Sequence, residues 1–385
     1  MFLEATKRRN PKMIETAIQL HQQGTVLPDT YILDLDMIEA NAKQMLEVAK
    51  QHQVELFYMT KQIGRNPLVA KKLAELGMSH AVVVDFKEAL VMMENGLPIG
   101  NVGHLVQVPQ HLLEKIMIYG AKYITVYSME MLVSIQKIAK KLGKKQAVLL
   151  KMVGEDDQLY PGQYGGFLLE EVAQHFPAMK ACDFVEIKGI TSFPCFLYQA
   201  DTHELEATHN VKTIQQAKAL FSEAGFNLAE LNVPSATCSR TIPFIQSFGG
   251  TQGEPGHALT GTTPMHALTD LPEKPAMAYI SEISHTFKGQ SYLYGGGYYR
   301  RGHLENVLID NQGTRTLGKV APFADENIDY YLEVDGEQPV GATAIMAFRT
   351  QIFVTRSEVA VVSGIQSGKP KVEGIYDSQG KFLRR

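Results

Sequence analysis

A chain of 385 residues is too long for one ordinary core, so two domains are expected. A net charge of −4 without a basic block argues against nucleic acid, and no apolar run approaches the ~20 residues that cross a bilayer. Cys182, Cys195 and Cys238 are too scattered for a disulfide or zinc framework, and the charged opening lacks the apolar stretch of a signal peptide; the cytoplasm is the default location.

TYILDLD (30–36) reads as a strand. Residues 36–52 form an amphipathic helix with Met37, Ile38, Ala42, Met45, Val48 and Ala49 on one side. Apolar strands then alternate with helical stretches: 56–60, 80–84, 102–106, 123–127, 147–152, 187–191, 229–233 and a short one near 252–256. About eight βα units over roughly 220 residues match a (β/α)₈ TIM barrel, and apolar strands suit a parallel sheet covered on both faces. No G-x-G-x-x-G follows the first strand, which disfavours a Rossmann sheet. After about residue 270 the texture becomes β-strands broken by glycine turns, which the opening strand is expected to join. The expected division is an α/β barrel over 37–268 and a mainly β, β-barrel-like domain from 1–36 and 269–385.

Chemistry in a barrel sits where strands end. The first strand ends at Thr60-Lys61, placing an amine in a partly dry cavity where burial lowers its pKa and frees a nucleophile. The seventh and eighth strands run into PSATCSR (234–240) and GGTQGEPGHALTG (249–261), where barrels often hold phosphate. Ser235, Thr237 and Ser239 offer hydroxyls, and the glycine-rich loop offers backbone N–H groups. HELEATH (203–209) spaces its histidines by six, not four, and reads as a solvated helix face rather than a metal site. His257, His285 and His303 have no close histidine or cysteine partner, so no metal is expected.

A lysine after strand one and a phosphate cradle after strands seven and eight resemble the pyridoxal-phosphate (PLP) enzymes of the alanine-racemase fold, fold type III. TYILDLDMIEANAKQM (30–45) resembles that family's opening, and MTKQIGRNPLVAKKLAELG (59–77) its Schiff-base segment, nearest to the ornithine-racemase-like branch. SATCS and GEPGHALTG resemble its phosphate loops, and GQSYLYG (289–295) the segment carrying its second catalytic base. The resemblance implies pyridoxal 5′-phosphate bound by Lys61, Phe193, Ser235, Thr237, Ser239, Glu254, Gly256 and His257. Lys61 and Tyr294 are the implied catalytic pair. An amino-acid substrate and a homodimer are implied too.

Two departures matter. Alanine racemases place arginine before Pro-Gly, whereas here Glu254 precedes Pro255-Gly256, as in the related basic-amino-acid decarboxylases. A carboxylate there favours a protonated pyridine ring and a deeper electron sink. The racemase arginine after the fifth strand is also missing from EDDQLYPGQYGG (155–166), leaving Arg65 and Arg240 as substitutes for gripping the substrate carboxylate. The resulting expectation is a two-base amino-acid racemase or epimerase. The alternatives are a lyase of the same fold (aldolase, dehydratase or decarboxylase), a PLP-homeostasis protein without turnover, and a PLP-free barrel enzyme using Lys61.

Overall fold

A computed structural model describes residues 1–385. The chain divides into two compact units, one of residues 45–60 and 70–256, the other of 1–44, 61–69 and 257–385.

The first unit is a closed parallel barrel. Its strands are Glu55–Met59, His80–Val83, Ile99–Val102, Tyr123–Val126, Gln146–Val153, Val185–Thr191, Glu230–Asn232 and Gln252–Gly253. Each pairs in parallel with its neighbours, and Gln252 beside Glu55 closes the ring. Side chains alternate across each strand, so one set points inward. Phe57, Met59, Val82, Val84, Tyr123 and Leu149 form one such buried cluster.

The second unit is a β-sheet with helices against it. Thr30–Asp34 lies mid-sheet, antiparallel to Met277–Phe287 and parallel to Glu358–Ser363, so the opening strand does join the C-terminal strands. Ile32, Ala278, Ile280, Ile345, Ala360 and Val362 present its buried face. Two helices, Phe2–Arg9 and Pro11–Gln22, cover that face with Leu3, Met13, Ile14, Ala17 and Ile18. The sequence reading passed over both helices, although Asn10 caps the second one and Pro11 opens it. No helix in the structure is long and apolar enough to cross a membrane.

Two local expectations are corrected. The third barrel strand is Ile99–Val102, not 102–106. Gly103 turns the chain at φ +90°, and the Gln107 amide donates to its carbonyl at 2.7 Å, ending the strand early. HELEATH is not a helix face: Glu204–Ala207 pairs antiparallel with Phe196–Gln199, and the next helix starts at His209. Alternation in that stretch has period two, with Leu205 buried and its glutamate neighbours exposed.

Candidate active site

The barrel's interior changes from apolar to polar along the strands. Thr191 and Asn232 are register partners in adjacent strands, and the Thr191 hydroxyl donates to Asn232 Oδ1 at 2.7 Å. The Asn232 amide in turn donates to Glu254 Oε1 at 3.0 Å and to Gln252 Oε1 at 3.2 Å. Glu254 is 6% exposed, and its second oxygen, Oε2, accepts no hydrogen bond. The His104 ring nitrogen Nε2 lies 3.7 Å from that oxygen. Amide and imidazole thus fix the carboxylate's position while leaving one oxygen open to a further donor.

Aromatic rings continue this belt. The Phe193 ring lies edge-on to His104, 5.8 Å between centroids, and Tyr160 lies 5.6 Å from Phe193. The Tyr127 hydroxyl donates to the His104 carbonyl. Thr60, the residue before Lys61, is itself anchored: its hydroxyl donates to buried Glu88, whose other oxygen accepts from the Val84 N–H at 2.7 Å.

The loop after the seventh strand carries positive φ at Ser235 (+151°) and Ala236 (+46°), two consecutive non-glycine residues. Such conformations cost about 1–3 kcal/mol each and gather at ligand sites. The Ser235 hydroxyl accepts from the Cys195 N–H at 2.9 Å, in the loop after the sixth strand, and donates to the Pro234 carbonyl, so it ties the two loops together. Thr237 accepts from the Glu254 N–H at 3.1 Å, which ties this loop to the next.

The second unit holds its own set. Lys61 opens a short 3₁₀ turn, Lys61–Ile63, and His257 opens another, His257–Thr260. His257 Nε2 lies 3.0 Å from the Thr350 carbonyl and 3.4 Å from Arg349 Nε. Burial first, then the positive charges of Arg349, Lys61 and Arg301, push its pKa well below the usual imidazole range. A neutral His257 among cations suits an anion nearby.

Tyr294 ends the strand Gln290–Tyr294, 37% exposed, and lines a cavity of about 300 Å³ with Asp29, Tyr330, Tyr331 and Arg356. The Tyr279 hydroxyl donates to Asp29 Oδ1 at 2.9 Å, and Ser357 donates to the same oxygen. Burial, only partly offset by those bonds, raises the Asp29 pKa to about 6. The glycine run after Tyr294 follows from this crowding: a Cβ on Gly296 (φ +125°) would lie 1.9 Å from Asp29 Oδ2.

Each unit thus gathers part of the expected set. The barrel unites Phe193, Thr237 and Glu254 and adds His104 and Glu88, which the sequence reading missed. The second unit places Lys61 and His257 around one ionic cluster, with Tyr294 on its cavity. The substitutes for the missing arginine are otherwise occupied: Arg65 lies over the Phe353 ring and donates to Gln379, and Arg240 faces Glu204 at 3.7 Å. No group of three or more His, Cys, Asp or Glu side chains could hold a metal ion.

Comparisons with known proteins agree with this architecture. The family profile "Alanine racemase, N-terminal domain" matches residues 33–264, and "YhfX-like, C-terminal domain" matches 278–372. YhfX of Escherichia coli (strain K12) is 44% identical over 386 residues, covering 100% of both chains. Alanine racemase of Clostridium difficile 630 in complex with cycloserine superposes with a TM-score of 0.67 at 18% identity, over 92% of this chain and 99% of that one. D-threonine aldolase of Filomicrobium marinum gives 0.67 at 17% identity, over 92% and 95%. At such identities the structural matches establish the fold rather than the reaction. Barrel, sheet and sequence lead to one assignment: the chain belongs to the alanine-racemase-like family, whose proteins bind pyridoxal phosphate.

Proposed function

We propose that the protein is an amino-acid racemase or epimerase that moves the substrate's α-proton between two bases. The observation that carries the two-base reading is Tyr294, which lines a cavity of the β unit; the one that carries the cofactor is Glu254, a buried carboxylate held by Asn232 with Oε2 lacking a donor. A buried acceptor left without a partner costs about 1–3 kcal/mol, so the site is built for a ligand that brings a donor. The protonated ring nitrogen of pyridoxal phosphate is such a donor, and the residues present fit the group.

Bound pyridoxal phosphate supplies a carbonyl carbon that attaches to amines and a ring that spreads the negative charge left when a proton departs. Lys61 is the residue that holds the cofactor covalently. Glu254 keeps the ring nitrogen protonated by accepting its N–H. Phe193, flanked by His104 and Tyr160, packs against the ring and excludes water. Thr237, Ser239, Gly256 and His257 hold the phosphate, with Ser235 shaping their loop. Lys61 would also hold or move the substrate's α-proton on one face. Tyr294, from the β unit of a neighbouring subunit, serves the other face. Proton transfer by placed groups typically contributes about 10²–10⁴-fold.

The test is to incubate the loaded protein with single enantiomers of each amino acid and follow them by chiral chromatography with full mass balance. Conversion to the opposite enantiomer or to an epimer, with the total conserved, supports the proposal. Loss of mass to an aldehyde, a keto acid, an amine or carbon dioxide would replace it with a lyase.

A further inference from the structure

An amino-acid substrate brings a carboxylate that its enzyme must neutralise. No arginine follows the fifth barrel strand, and Arg65 and Arg240 are engaged elsewhere. A cation does lie inside the barrel. Lys151 sits in the fifth strand, Gln146–Val153, and is 2% exposed. It is two residues beyond Leu149, a member of the interior cluster, so strand alternation points it inward as well. Its register partner is Thr191, the first link of the hydrogen-bonded belt that runs through Asn232 to Glu254. Lys151 therefore lies in the same polar layer as the carboxylate assigned to the cofactor ring.

Its surroundings stabilise a cation without neutralising it. Lys151 Nζ donates to the Gln163 carbonyl at 3.1 Å and lies 4.6 Å from the centre of the Tyr127 ring. No carboxylate pairs with it, and burial alone lowers its pKa to about 8. The titratable group packed against it is Tyr127, whose hydroxyl burial pushes up to about 12. The loop bearing Gln163 reaches this position through two glycines. A Cβ on Gly165 would lie 2.9 Å from the Tyr127 ring, and one on Gly166 would lie 2.8 Å from the Lys151 carbonyl. An ammonium has three donors, and the Gln163 carbonyl accepts from one. A buried cation without a counter-charge is costly unless a ligand brings the anion.

We propose that Lys151 is the anchor for the substrate's carboxylate, a role that rests on the amino-acid reading above. The barrel floor thereby sorts its ligand by charge. Glu254 faces a protonated ring nitrogen and Lys151 an anionic carboxylate, with Thr191 and Asn232 as the neutral spacer between them.

Propionate and propionamide, equal in size and different in charge, are the probes, titrated by calorimetry into the parent, Lys151→Met and Lys151→Arg proteins. The parent should prefer propionate, and Lys151→Met should weaken propionate by about tenfold or more while leaving propionamide unchanged. Lys151→Arg keeps the charge, so it should retain most of the propionate affinity. Parent affinity should fall as pH rises past about 8, where the amine loses its proton, and the arginine variant should not follow. Equal propionate affinity in parent and Lys151→Met, or no preference for propionate over propionamide, would overturn the assignment. Absorbance of the same samples after adding pyridoxal phosphate reports cofactor uptake separately. A parent that takes up no cofactor but binds propionate through Lys151 contradicts the racemase reading and leaves the anchor standing.

Discussion

The barrel's polar belt and the tyrosine-lined cavity of the β unit both hold charge away from bulk water, but in opposite ways. In the cavity the charged groups are answered within the protein. Asp29 accepts from Tyr279 and Ser357, and the positive charge of Arg356 lies close enough to the Asp29 and Asp329 carboxyls to favour their ionised forms. In the belt, Glu254 keeps an oxygen without a donor and Lys151 has no carboxylate partner. Folding alone does not favour such unanswered groups, so their presence marks where a ligand completes the structure. The cavity presents three exposed tyrosines, Tyr294, Tyr330 and Tyr331, of which Tyr294 is the proposed second base.

This contrast can be broken from either side. The largest effect is expected at Tyr294. Tyr294→Phe should slow racemisation by about 10²–10⁴-fold in a chiral assay. One-sided exchange of the α-proton with solvent should persist, and the unfolding midpoint should barely move, because the side chain is 37% exposed. Next comes Glu254→Gln, which keeps the shape but not the charge. Roughly a hundredfold loss of rate is expected, with cofactor uptake by absorbance retained. Gly296→Ala acts on the cavity's packing. A Cβ against Asp29 at positive φ should lower stability by about 2–3 kcal/mol in denaturant titrations, leaving the barrel's cofactor spectrum unchanged.

The smallest effect concerns pH. Burial raises the folded pKa of Asp29 to about 6 from 3.8, so the folded state holds this proton more tightly than the unfolded one. Its contribution to stability is full below the unfolded pKa and is lost as pH rises through about 6. Relative to Asp29→Asn, the parent should therefore lose stability between about pH 4 and pH 7, as measured by denaturant titration at each pH. A constant difference would mean that Asp29 is not held in this environment.

The fold was legible because its signals are local. Apolar runs mark buried parallel strands, and the glycine-broken stretch after residue 270 marks the sheet. The N-terminal helices are weakly written in the sequence, because the first is short and rich in charge and the apolar face of the second, Met13, Ile14, Ala17 and Ile18, spans few turns. Lys61 and Glu254 could be picked out because each stands at a strand end within a motif resembling the family's. His104 could not, since the apolar run VGHLV concealed that the strand stops at Val102 and turns at Gly103. Glu88 is buried and accepts from Thr60, 28 residues away in sequence, a pairing that the sequence does not announce. Lys151 carried a signal, a lone lysine in the apolar run AVLLKM. Whether it faces inward depends on the barrel register that Leu149 reveals.

The central claim is that Lys61 carries the cofactor, and reduction with borohydride tests it most directly. The protein loaded with pyridoxal phosphate should show a visible Schiff-base band that borohydride bleaches, fixing the label on the peptide containing Lys61. Lys61→Ala should show neither band nor label. A label on another lysine, Lys151 above all, or a parent protein that takes up no cofactor, would contradict the account.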